Sequence, residues 1–131
     1  MGFSNVSVLG VLVAAILSFG FDFAWHRAFE KRWMTDRNYR GKPALKPGPL
    51  AIVFVAYVVI AGMLAGLTAH IGPVRLTDTL ITSILVWAGF ILAAMVVDHS
   101  YEARPRKLTA INAAHWFGVF VIMGVVIGLF G

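Results

Sequence analysis

Four long apolar runs, at 3–25, 50–69, 80–97 and 108–130, alternate with short polar connections. Each run is apolar nearly all the way round a helical wheel, so none offers the polar face that a helix at the surface of a water-soluble core needs. A bilayer core of roughly 30 Å takes about 20 helical residues, and the shortest run, about 18 residues long, is within the usual range of about 17–25. Helices also satisfy their own backbone polar groups, which hydrocarbon cannot do for them. The pattern predicts an all-α fold: an integral membrane four-helix bundle, one domain over 1–131, with short loops.

The connections give that bundle a direction. The basic loop 26–49 holds Arg27, Lys31, Arg32, Arg37, Arg40, Lys42 and Lys46, and the third connection holds Arg104, Arg106 and Lys107, whereas the second holds Arg75 alone. Such a bias predicts that the first and third loops are cytoplasmic and that both termini are external. Trp25, Trp33 and Trp116 fall near the expected inner interface, where amphipathic rings are favoured. Between 27 and 40, aromatic and basic residues mix as in an interfacial continuation of the first helix. Gly41-Lys-Pro-Ala-Leu-Lys-Pro-Gly-Pro49 is rich in breakers and predicts an extended tether into helix two. No basic region or cleavage-site pattern marks the first run as a removable signal, so it is expected to stay as a helix.

Composition agrees with a membrane setting and removes several chemistries. The chain is 60% hydrophobic and 13% charged, against about 45–50% apolar and about 25% charged in soluble domains. It contains no cysteine, which excludes disulfides, thiolate metal sites, cysteine nucleophiles and iron–sulfur ligation. The net charge of +5 sits in the segments flanking the apolar runs, which fits anchoring to anionic lipid headgroups and not nucleic-acid binding. No nucleophile elbow, phosphate loop or nucleotide-binding glycine fingerprint occurs.

Ionisable residues at the inner ends of the helices carry the remaining chemical information. A charged group in hydrocarbon costs roughly 2.5–3.5 kcal/mol on insertion scales, so such groups face the bundle interior and pair. Asp22 and His26 are four apart, beside Trp25 and Phe29; Asp98 and Glu102 share that spacing, next to His99; Asn112 and His115 are three apart, beside Trp116. Helix two adds only the Tyr57 hydroxyl at this depth. Three readings stay open. Asp22, His26, Asp98, His99, Glu102 and His115 could line one cavity that binds a divalent metal through oxygen and imidazole, although no His-x-x-x-His or Glu-x-x-His motif is present. They could form a proton relay or a quinone-headgroup site. The leading reading is that they pair with neighbours and fix helix packing. Gly62-Met-Leu-Ala-Gly66 and Gly124-Val-Val-Ile-Gly128 are GxxxG patterns that permit close helix approach. Trp87-Ala-Gly-Phe90 reads as an aromatic ridge with a small notch.

Taken together, Trp25-His-Arg-Ala-Phe-Glu-Lys-Arg-Trp33, Trp87-Ala-Gly-Phe90, Tyr101-Glu-Ala-Arg-Pro105 and Leu108-Thr-Ala-Ile-Asn-Ala-Ala-His115 make the chain resemble a family of small bacterial membrane proteins known as domain of unknown function 1761. The resemblance covers nearly the whole chain. It implies the four-helix architecture and draws attention to Trp25, Phe29, Trp33, Glu102, Asn112 and His115, without supplying an activity.

These observations favour a multi-pass protein of a bacterial inner membrane that acts as a non-enzymatic binding or accessory subunit. Its expected partners are membrane lipids, a protein partner, a small apolar ligand, or further copies of itself in an oligomer. The alternatives are a redox enzyme working on a quinone-like substrate through the His and carboxylate cluster, and a small transporter. No particular cofactor follows from the residues.

Overall fold

A computed structural model describes residues 6–28, 47–103 and 105–130. In it the chain forms α1 (Val8–Ala28), α2 (Pro47–Ile71), α3 (Leu76–Val86), a π-helical segment (Trp87–Leu92), α4 (Ala93–Tyr101) and α5 (Arg106–Phe130). The π segment joins α3 to α4 without a break, so Leu76–Tyr101 is one continuous span. All four spans are long and apolar enough to cross a membrane, and the described residues contain no strand.

Most helix ends differ from the sequence expectation by a few residues, for local reasons. α1 starts at Val8, because Ser7 caps it: Gly10 N–H donates to Ser7 Oγ at 3.1 Å. It runs on past residue 25 to Ala28. α2 starts at Pro47, three residues early, so the end of the expected extended tether is helical. Prolines 47 and 49 fall in its first turn, where a missing N–H breaks no intrahelical bond. The third span starts at Leu76, with Asp78 in its first turn and Thr79 N–H bonded to Arg75 C=O at 2.8 Å. The rest of the tether and the expected interfacial extension, Phe29 and Trp33 included, lie outside the described residues.

The outer surface of the bundle is apolar, unlike that of a soluble protein. Leu9, Leu12, Ile16, Ile52, Val55, Val59, Met63, Ile81, Leu85 and Phe90 are exposed, as lipid-facing positions should be. The interior combines small and weakly polar groups, Gly10, Ala14, Ala15 and Ser18 on α1, Ala61, Ala65 and Thr68 on α2 and Thr79 and Ser83 on α3, with larger apolar side chains, chiefly Val119, Phe120, Met123 and Ile127 of α5. Small residues let helices approach closely where burial of apolar area drives nothing, hydrocarbon being as apolar as leucine. The buried hydroxyls of Thr68 and Ser83 donate to the carbonyls of Leu64 and Thr79, at 2.8 and 2.7 Å, and so do not remain unsatisfied.

α1 and α5 form the centre. α2 packs on α1, the third span packs on α5, and α1 and α5 pack on each other, while α2 touches α3 and α5 only lightly. Half of the apolar window of α5 is buried, against 6% of that of the third span. On the α5 side of the third span, the GxxxG pair is in use. A Cβ at Gly124 would stand 2.6 Å from Ser83 Oγ, and one at Gly128 would stand 2.7 Å from Leu76 Cα. On α2, Gly66 is buried but Gly62 faces open space, with no atom of a neighbouring helix within 4 Å of where a Cβ would be.

Candidate functional site

The light contact between α2 and α5 leaves a gap at the end of the bundle where α1 leaves and α2 and α5 enter. This gap is a cavity of about 340 Å³. Val53, Ala56, Tyr57 and Ile60 line it from α2, at spacings of three and four that share one helix face; Asp22 and His26 come from α1, and Asn112, His115 and Trp116 from α5. By the helical rise of about 1.5 Å per residue, His115 is about 13 Å beyond Arg106 along α5. The walls are apolar on the α2 side and polar where α1 meets α5.

Asp22 is the hub of the polar side. Its Oδ1 is 2.6 Å from His115 Nε2 and 3.1 Å from His26 Nδ1, and the His26 Nδ1 is also 2.9 Å from the Asp22 carbonyl oxygen. The short contact to Oδ1 places a proton on His115 Nε2, which donates to the carboxylate. Tyr57 Oη is 3.4 Å from the same nitrogen, too long for more than a weak second acceptor, so its own proton is left to donate elsewhere. A lone carboxylate in hydrocarbon would be costly; two imidazoles against it make the burial tolerable.

Rings hold His115 in place. Phe21 stacks on it with an interplanar angle of 13° and centroids 6.0 Å apart, and Trp116 meets it edge to face at 5.0 Å. His26 stands edge-on at 5.2 Å, and Trp25 flanks the group at 6.2 Å. Gly118 makes the stack possible, because a Cβ there would come 2.5 Å from Phe21 Cζ. His115 is 4% exposed, and its ring lines the cavity.

The structure thus brings together Asp22, Trp25, His26, Asn112 and His115 of the residues singled out in the sequence. It does not bring Asp98, His99 and Glu102 to them. Those three lie at the end of α4, where Asp98 and Glu102 are exposed and His99 Nδ1 contacts Thr109 Oγ1 at 2.5 Å. The polar residues form two groups, not the single cavity lining that spacing alone allowed. Reading the sequence did not bring out Phe21, Gly118 or the α2 wall of Val53, Ala56 and Ile60, and it assigned Tyr57 only a hydroxyl at suitable depth. The spacing of 53, 56 or 57, and 60 was the available signal for that wall.

The model of the family described as proteins of unknown function, DUF1761, matches residues 9–128. The chain belongs to this family. The match spans all four helices and every residue of the cavity. No curated protein and no solved structure matches the chain. The chain is a four-helix, multi-pass membrane protein.

Proposed function

We propose that this protein is a non-enzymatic membrane binding protein that takes a small amphipathic ligand from the bilayer into the cavity between α1, α2 and α5. The observation that carries the reading is the lining itself. Val53, Ala56 and Ile60 offer an apolar wall for a tail, and Asp22, His26, Tyr57, Asn112 and His115 converge opposite it to fix a polar head. Ligand sites combine mostly apolar surface with a few placed polar groups in this way, commonly in volumes of about 300–1,000 Å³. The excess of Lys and Arg in the first and third connections supports a cytoplasmic position for them, external termini, and a cavity in the inner leaflet of a bacterial inner membrane. The same basic segments suit anionic headgroups. The thinly covered third span suits a further copy or a partner subunit, which would make the protein part of a larger assembly.

The test is native mass spectrometry of protein extracted gently from its native membrane. The wild type is expected to retain a small organic mass that Ile60→Trp, which fills the cavity from α2, excludes while helicity by circular dichroism stays unchanged. A bare wild-type particle would overturn the reading. A second reading, a redox enzyme acting on a quinone, is favoured by the continuous run of titratable groups from Tyr57 through His115 and Asp22 to His26. A retained quinone mass, with quinone reduction lost in His115→Ala, would select it.

A further inference from the structure

We infer that Asp22, His26 and His115 form a site for one divalent transition-metal ion at the polar end of the cavity. This deepens, and rests on, the reading of the cavity as a binding site. One carboxylate oxygen and one nitrogen from each imidazole all lie within 4.8 Å of one another. Two of these donors come from successive turns of α1 and the third from α5, so the set is assembled by the α1–α5 contact, and no spacing within one helix could reveal it.

The distances are close to what an ion requires. Bonds of about 2.0–2.1 Å in a tetrahedral shell put neighbouring donors about 3.3 Å apart. The Asp22–His115 and Asp22–His26 separations of 2.6 and 3.1 Å are those of donors bridged by protons and need to widen by less than an ångström, while the two imidazole nitrogens, within 4.8 Å of each other, come to the same spacing around the ion. Binding then displaces the protons from His115 Nε2 and His26 Nδ1, each to the other nitrogen of its ring or, from an imidazolium, to water. It also exchanges a buried hydrogen-bonded pair for a carboxylate and two imidazoles around a cation. His26 Nδ1 also lies 2.9 Å from the Asp22 carbonyl oxygen, a hydrogen bond that metal binding at this nitrogen exchanges for the bond to the ion.

The donor set selects the class of ion. Two imidazoles and one carboxylate suit Zn²⁺, Fe²⁺ or Mn²⁺, and a chain without cysteine offers no thiolate for softer ions. Three protein ligands leave at least one coordination position, and here the neighbouring space is the cavity, with Asn112 on its wall. This site has two histidines and opens onto 340 Å³. The head of a cavity ligand would therefore be a group able to reach a metal, such as a carbonyl, hydroxyl or carboxylate oxygen.

The experiment is metal loading of the full-length protein in detergent, with any polyhistidine tag removed. Chelator-stripped protein is titrated with Zn²⁺ and, separately, with Co²⁺; desalted samples are analysed for metal content, and the Co²⁺ sample for its visible absorption. About one ion per chain is expected, with tetrahedral-type Co²⁺ bands. Affinity should fall at least about tenfold in Asp22→Asn and in His26→Gln. His99→Gln, at the other polar group, should bind as the wild type does. Asp22→Asn keeps an acceptor for His115, and His26 lies at the half-exposed edge of the site, so both variants are expected to fold; helicity and elution volume check this. Wild-type loading below about one ion per ten chains, or wild-type affinity in both folded variants, would overturn the metal site. Organic mass retained by metal-free protein would then leave the cavity reading standing. Conversely, a metal-loaded wild type that never carries an organic mass would sustain the ion and overturn the amphipathic ligand.

Discussion

Substituting Gly128 by alanine tests the seam between α5 and the third span. The added Cβ would stand 2.7 Å from Leu76 Cα and 3.3 Å from Leu76 N and Cδ1. Non-bonded carbons rest about 3.5–4.0 Å apart, so the overlap with the α3 backbone is about 0.8 Å. Backbone cannot rotate aside as a side chain can, so α3 and α5 must part near Leu76. Overpacking of this kind costs about 1–3 kcal/mol. Alanine also returns up to about 1 kcal/mol of intrinsic helix preference, which must be separated from the clash. Gly62→Ala supplies the correction, because it carries the same preference with no atom of a neighbouring helix within 4 Å of the new Cβ. The stability of Gly128→Ala is therefore expected to lie about 1–3 kcal/mol below that of Gly62→Ala. Reversible unfolding by sodium dodecyl sulfate in mixed micelles, followed by circular dichroism, measures both. Equal stabilities, or Gly128→Ala the more stable, would refute the packing argument.

The same titration checks two smaller effects. Trp87→Phe removes the indole N–H that donates to the Ala113 carbonyl at 3.0 Å while keeping a ring against Phe117, and is expected to cost about 0.5–1.5 kcal/mol; no loss would mean that the bond contributes nothing net. Ala103 turns the chain between α4 and α5 with φ of 53°, a left-handed conformation that costs most side chains about 1–2 kcal/mol. Part of that relief is offset by the greater freedom of glycine when unfolded, so Ala103→Gly should stabilise by up to about 1 kcal/mol, and a loss of stability would contradict the strain.

The four spans were legible because each apolar run is long and lacks a polar face, a signal that does not depend on how the helices pair. Their ends were less legible, since Ser7 and the prolines at 47 and 49 act through caps and first turns that hydropathy does not register. Among the polar residues, Asp22 and His26 share a helix face by spacing alone, but their meeting with His115 depends on α1 packing against α5. The third span shows where regular spacing misleads. In an unbroken α-helix, His99 would lie about 160° round from Ser83, turned away from α5. Each i→i+5 turn of the π segment takes up more chain than an α turn, and over Trp87–Leu92 this brings His99 round to Thr109. The sequence Trp-Ala-Gly-Phe-Ile-Leu gives no sign of that shift, and grouping Asp98, His99 and Glu102 with Asp22 rested on their common depth at the inner helix ends.

The order α2, α1, α5, third span has a mechanical meaning. The protein is two helical hairpins, divided in sequence at Gly72-Pro-Val-Arg75, held together mainly along the α1–α5 seam. Asp22 and His26 stand on one side of that seam and His115 on the other. Whatever occupies the site is thereby a clasp between the halves: chains severed at the short link would reassociate more tightly when it is filled, and a force that slides one hairpin past the other would open the clasp first.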